Sequence, residues 1–162
     1  MSREYVVSSA GVTLANQAVT MAFVNPAAGT VLEFFRAWAS QSANATSAQQ
    51  RIQLNYQASV YPTLTGATPA KTKSGDPISG VVSGAAGAAG TAGINASAEG
   101  AGTKTVATQD AFNVLNGWLW VPTPVDTYTA RAAESLGFAV HVPVAPATLT
   151  NWAFGLTFRE LG

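Results

Sequence analysis

The sequence predicts an all-β protein, an antiparallel β-sandwich or jelly roll, and three observations support this class. Stretches of alternating apolar and polar residues recur along the chain. Proline and glycine turns separate these stretches, and no segment has the spacing of a convincing amphipathic helix. The chain has 162 residues, which is close to the size of one domain, about 150 residues. We therefore expect a single β-sandwich domain over residues 1–162, with a long Gly/Ala-rich loop insertion.

Three strands are predicted in the first quarter of the chain. They cover residues 4–9, 17–24 and 31–39. In the third, one face is predicted to combine apolar side chains with one charge, in Leu32, Phe34, Arg36 and Trp38. The opposite face carries Val31 and Phe35. Since both faces hold apolar residues, we expect both faces of this strand to be covered.

The remaining strands are predicted mainly from alternation. They cover residues 51–60, 117–121, 136–142 and 152–158. In the last of these, one face is wholly apolar, with Trp152, Phe154, Leu156 and Phe158. Pro122 and Pro124 end the strand over 117–121, because proline cannot donate to the ladder of a sheet.

Residues 74–103 differ in composition from the rest of the chain. Of these 30 positions 22 are Gly, Ala, Ser or Thr, and the segment holds eight of the 15 glycines. Ordering it costs about 1 kcal/mol or more per residue, whereas each buried alanine methyl returns only about 0.8 kcal/mol. We therefore expect residues 62–106 to form an extended loop or arm that is mobile or is ordered by a partner. The alternative is a short helix with Gly80, Gly84 and Gly87 on one face.

Charge is scarce and balanced. Eight basic and eight acidic residues give a net charge of zero, and charged residues make up 10% of the chain, against about 25% in ordinary domains. The basic residues are scattered, which argues against a nucleic-acid partner. No apolar run approaches the roughly 20 residues that cross a bilayer, and no signal peptide is evident. We therefore expect a neutral surface suited to association, without nucleic-acid or membrane partners.

The side chains needed for catalysis are few. The chain has one histidine, three aspartates, five glutamates and no cysteine, so we predict no catalytic residue, no metal site and no cofactor. His141 is interpreted as a strand histidine on the face opposite Phe138 and Val140. A hydrolase with paired carboxylates is kept as a minor hypothesis. The available carboxylates are Glu33, Asp110, Asp126 and Glu134.

Trp118 and Trp120 alternate with Leu119 and Val121, so both faces of that strand are apolar. We expect one face to join the core and the other to contact a protein. Together with the small-residue segment, this gives the predicted interface residues: Gly80, Gly84, Gly87, Trp118, Trp120, Pro122 and Pro124.

Several features occur in a fixed order over most of the chain. They are an opening strand from Glu4, the segment 29–38, the strand from Arg51, the small-residue segment, the segment 110–124 with its Trp-Val-Pro-Thr-Pro patch, and the alternating segment 149–160. This order resembles the decoration, or cement, proteins of tailed bacteriophages. None of the shared motifs is catalytic.

The resemblance implies a β-rich virion protein, often a trimer, that sits at symmetry axes on the capsid surface and bridges neighbouring major capsid proteins. It implies a structural protein rather than an enzyme, with the major capsid protein as partner and a homotrimer favoured. Assembly would take place in the bacterial host cytoplasm, and the absence of cysteine is compatible with that compartment. The alternative is a fibre or baseplate β-sandwich that recognises a host-surface glycan. That alternative predicts exposed aromatic rings beside a polar groove.

Overall fold

A computed structural model describes residues 3–15, 19–42, 46–58, 63–85, 87–98, 102–134 and 137–161. In these residues the chain is all-β, and two sheets pack face to face. The strands are β1 (Arg3–Val12), β2 (Val19–Val24), β3 (Val31–Gln41), β4 (Gln49–Gln57), β5 (Thr65–Gly66), β6 (Ala70–Lys71), β7 (Val82–Ser83), β8 (Thr91–Ile94), β9 (Lys104–Asn113), β10 (Trp118–Trp120), β11 (Tyr128–Arg131), β12 (Gly137–Val142) and β13 (Trp152–Leu161). One 3-10 helix spans Ala132–Glu134.

The strand order is that of a jelly roll. Sheet A has the order β10-β3-β13-β1-β6, with β11 also paired to β3. Sheet B has the order β5-β8-β2-β12-β4-β9, with β7 also paired to β8. The pairs β1–β13, β2–β12, β3–β11 and β4–β9 are all antiparallel, so the chain resembles one long hairpin rolled up with successive pairs in opposite sheets. The predicted antiparallel β-sandwich is confirmed.

The core lies between the two sheets and contains the apolar face predicted for β13. Trp152, Phe154, Leu156 and Phe158 are all buried, which confirms that alternation. Phe34 of sheet A stacks on Phe138 of sheet B, with ring centroids 4.4 Å apart. Aromatic pairs of this kind contribute beyond their buried area, and here they join the two sheets.

A β-bulge in β3 reverses its alternation. Arg36 lies opposite Thr157 and Phe34 lies opposite Phe158, which leaves Phe35 as the extra residue. Leu32 and Phe34 are buried before the bulge, whereas Ala37 and Ala39 are buried after it. The prediction that Arg36 and Trp38 share a face with Leu32 and Phe34 is therefore wrong: both point away from the core. Bulges commonly redirect side chains in this way.

The prediction of an extended arm over residues 62–106 is wrong for the described part of that segment. β8 pairs with β2 in sheet B, and β6 pairs with β1 in sheet A. Backbone bonds order the small residues; for example, Gly84 donates to the Ala92 carbonyl at 3.0 Å. The buried methyl groups alone would not order the segment, but backbone hydrogen bonds add to them, and their donors and acceptors are costly to leave unpaired when buried.

The same segment covers the outside of sheet B. Phe23, Leu64, Ala96 and Ala139 form a second, small apolar cluster there and are all at most 5% exposed. Gly93 makes this packing possible, because a Cβ at that position would lie 2.9 Å from both the Gly84 carbonyl oxygen and Leu64 Cβ. The small residues are therefore needed for close approach.

We expect Gly93→Val to lower the free energy of unfolding by about 2 kcal/mol, because the added side chain forces β8 away from Leu64 and from the Gly84 carbonyl. Thermal or urea unfolding measures the effect. Gly75→Val is the matched control, since nothing lies within 4 Å of a Cβ at Gly75. Equal stability of the two variants would contradict the packing described for the segment.

His141 lies in β12, where every residue is buried. Its Nδ1 atom is 3.3 Å from Thr20 Oγ1, and its exposed fraction is 4%. Burial, together with the nearby positive charge of Lys104, lowers the pKa of His141 from 6.5 to about 4. The folded protein therefore holds this histidine neutral at neutral pH.

This pKa difference predicts a loss of stability in mild acid. The unfolded chain protonates His141 near pH 6.5 and the folded protein only near pH 4, so stability is complete above that window and declines as pH falls through it. At about 1.4 kcal/mol per pH unit the contribution amounts to about 3 kcal/mol. Unfolding curves from pH 7 to pH 4 measure it, and a His141→Gln variant should lack that part of the slope. An unchanged slope in the variant would contradict the assignment.

In the described residues, no helix has the length and apolar character that crossing a membrane requires.

Candidate interaction surface

The face of sheet A that points away from the core carries side chains from β1, β3, β10 and β13 in three rows. We call it the outer face. One row is charged, because Glu33 lies opposite Arg159, which lies opposite Glu4. Arg159 bonds Glu33 at 3.1 Å and Glu4 at 3.0 Å, and Lys73 lies 3.5 Å from Glu4. The Arg159 hydrogen bond lowers the pKa of Glu4 although burial opposes it. This row is internally neutralised.

The other two rows are mainly apolar or uncharged. The middle row runs through Arg36, Thr157 and Val6, and the last runs through Leu119, Trp38, Gly155 and Ser8. The Trp38 ring crosses Gly155, where a Cβ would lie 2.1 Å from Trp38 Cζ2. Gly155 therefore allows the indole to lie against the sheet.

The bulged Phe35 divides two grooves on the outer face. The first, the Thr157 groove, has a volume of about 420 Å³ and is lined by Glu4, Val6, Ser8, Phe35, Arg36, Trp38, Thr72 and Thr157. The second, the proline groove, has a volume of about 240 Å³ and is lined by Glu33, Phe35, Val121, Pro122, Pro124, Thr127 and Arg159. Phe35 thus borders both, and an arginine lies over its ring, since the Arg159 guanidinium carbon is 5.2 Å from the ring centroid.

The predicted interface residues of β10 separate into two groups. Trp118 is 9% exposed and donates to Asp110 Oδ2 at 3.1 Å. Trp120 stacks on Tyr128 with centroids 5.3 Å apart. The residues between and after them project outward instead, with Leu119 59% and Val121 62% exposed. Of the predicted set, Pro122 and Pro124 border the outer face, while the two tryptophans pack inward.

Two of the three predicted glycines bond residues outside the small-residue segment, and the third packs within it. The Gly80 amide donates to Glu160 Oε1 at 2.9 Å, and the Gly87 carbonyl accepts a 3.0 Å bond from Asn25 Nδ2. A Cβ on Gly84 would lie 2.5 Å from Thr91 Cβ. The alternative of a short helix carrying these glycines is wrong for the described residues, because all three glycines lie in bends or irregular stretches outside any helix.

The carboxylates considered for a hydrolase have separate partners. Glu33 is paired with Arg159, Asp110 accepts from Trp118, and Asp126 accepts from Thr123. Glu134 is exposed in the 3-10 helix. Within the described ranges, no group of three or more His, Cys, Asp or Glu residues is placed to hold a metal ion.

No protein-family model, curated protein or solved structure matches the chain.

Sequence reasoning missed Phe35, Arg36 and Trp38 as surface residues. The signal was present, because the apolar set Leu32, Phe34 is followed by the out-of-phase set Ala37, Ala39. An apolar alternation that changes phase within one strand indicates a bulge. Without a bulge, Arg36 would point into the core with the apolar residues, and burying its charge there is unfavourable.

We expect Gly155→Val to displace Trp38 and to lower the free energy of unfolding by about 1–3 kcal/mol. Tryptophan fluorescence and thermal unfolding measure the two effects. The double variant Trp38→Ala/Gly155→Val should be less destabilised than the sum of the single changes, because the clash is gone. Additive effects would show that Trp38 does not pack on Gly155.

Proposed function

We propose that the chain is a virion structural protein that binds the outside of a tailed-bacteriophage capsid and bridges neighbouring major capsid proteins, as a homotrimer. The observation that carries the proposal is the exposed apolar edge of the outer face. Leu119, opposite Trp38, is 59% exposed, and Val121, which lines the proline groove, is 62% exposed. Contiguous exposed apolar residues beside shaped grooves are typical of protein contacts.

The charge distribution supports a protein contact of this kind. The carboxylates of the charged row are already paired with Arg159, so covering that row does not bury an isolated carboxylate. The whole chain is neutral and only 10% charged. A partner that covers the charged row therefore buries charges that are already paired with one another.

The fold alone does not choose between the two functions considered. Jelly rolls occur in viral capsid proteins and in lectins, and a fold does not determine function. The tryptophans favour the protein contact. Trp38 lies between Arg36 and Gly155, Trp120 stacks on Tyr128, and Trp118 and Trp152 are buried. Their rings therefore already have intramolecular partners where a glycan would have to stack.

A symmetric shell makes weak individual contacts sufficient. Each copy would present one outer face, and a trimer would present three to neighbouring shell proteins. Because the second and third contacts are intramolecular once the first has formed, avidity exceeds the affinity of a single face. A modest apolar edge is enough for stable attachment on such a lattice.

The first test is the copy number of the chain in purified phage particles, measured by quantitative mass spectrometry against the major shell protein. We expect a ratio near that of the shell protein itself. A few copies per particle would favour a fibre or baseplate part instead, and absence from particles would overturn the proposal.

In the same assay, Leu119→Asp should lower the copy number about tenfold or more, because a carboxylate is then buried in the contact. Val144→Asp is the matched control, since Val144 is similarly exposed, at 55%, but lies in the loop after β12. Equal loss with both variants, or no loss with either, would contradict a contact through the outer face.

A further inference from the structure

Arg36 lies in the middle row of the outer face. The bulge at Phe35 turns the Arg36 side chain outward, and Arg36 lies opposite Thr157 of β13. Its guanidinium carbon lies 5.0 Å from the centroid of the Trp38 ring. A guanidinium stacked on an aromatic ring keeps the N–H groups at its edge available for further bonds.

Arg36 differs from the other cations of this face in having no anionic partner. Arg159 is bonded to both Glu33 and Glu4, and Lys73 is close to Glu4. Arg36 makes no ion pair or side-chain hydrogen bond anywhere in the described residues, and its contact is the Trp38 ring. Among the described residues of this face, Arg36 is therefore a cation that lies on an aromatic ring and has no anionic partner.

That charge borders the Thr157 groove, the larger of the two. Phe35, Arg36 and Trp38 line one side of the groove, while Val6 and Ser8 of β1 line the other. Thr157 forms the base and is 6% exposed. The groove thus combines an available fork of N–H donors with apolar walls and a hydroxyl.

These features have one complementary group, a carboxylate beside an apolar side chain. The guanidinium fork matches carboxylate geometry and is the preferred partner for it in protein contacts. The carboxylate of Glu4, also in the groove, is paired with both Arg159 and Lys73, so its repulsion of an incoming anion is reduced. Phe35 and Val6 supply apolar contact around it.

We propose that the Thr157 groove binds an Asp or Glu side chain of the partner protein, with Arg36 pairing to its carboxylate and an adjoining apolar residue packing on Phe35 and Val6. This inference rests on the proposed function, under which the partner is the shell protein. A carboxylated glycan offers similar chemistry, but the ring contacts of Trp38 favour a protein segment.

The test uses shells purified from particles that lack the chain, and it measures binding of purified variants by co-sedimentation. Arg36→Gln should weaken binding about tenfold or more, as expected for a hydrogen-bonded charge. Arg36→Lys should recover only part of the loss, because lysine keeps the charge without the planar fork. Arg51→Gln, an equal charge change at an exposed residue of β4 in sheet B, should bind like the unmodified chain.

The outcomes separate this inference from the proposed function. If the unmodified chain does not bind shells, the proposed function fails and the inference with it. If it binds and Arg36→Gln binds equally well with an unchanged melting temperature, the function stands and the inference is overturned. Arg36-dependent binding to purified host polysaccharide, without binding to shells, would overturn the protein partner in favour of a glycan. Weaker salt dependence in Arg36→Gln than in Arg51→Gln would support the ion pair.

Discussion

The position of β13 in the middle of sheet A is the constraint on which the rest of the structure depends. This strand pairs with β3 on one side and with β1 on the other, and its inward face supplies Trp152, Phe154, Leu156 and Phe158 to the core. Its outward face carries Arg159 at one end and two small residues, Gly155 and Thr157, further along. These two residues form the base over which Trp38 lies and beside which the larger groove opens.

Much of the fold could be predicted from the sequence, because alternation identifies strands that have one buried and one uncovered face. β13 and β4 were found in this way. β9 was missed, since a strand at the edge of a sheet keeps exposed polar residues on both faces, as Thr105, Gln109 and Asp110 do. The small-residue segment was misassigned because backbone pairing and close approach, rather than side-chain area, hold it in place.

The interaction surface was harder to predict, because two of its strands have apolar residues in both phases. In β10 the composition does not tell whether the tryptophans or Leu119 and Val121 point inward. The inward direction of the two tryptophans depends on distant contacts. Trp118 bonds Asp110, and Trp120 stacks on Tyr128. In β3 a single extra residue, Phe35, decides that Arg36 faces solvent. Local periodicity does not reveal which distant residues will pack against a strand, and it does not show a register shift directly. In β3, however, the change of phase after Phe34 does indicate the bulge.

The pairing of β1 with β13 also determines how the molecule acquires its shape. Arg3 lies opposite Glu160, so the central ladder of sheet A joins the two ends of the sequence. Folds dominated by such distant pairings form slowly, and a ribosome completes β1 long before β13 emerges. Until then one edge of β3 and one edge of β1 are unpaired, and the core lacks Trp152, Phe154 and Phe158. Such a state is prone to aggregation. Sheet A can therefore be completed only after β13 has been synthesised.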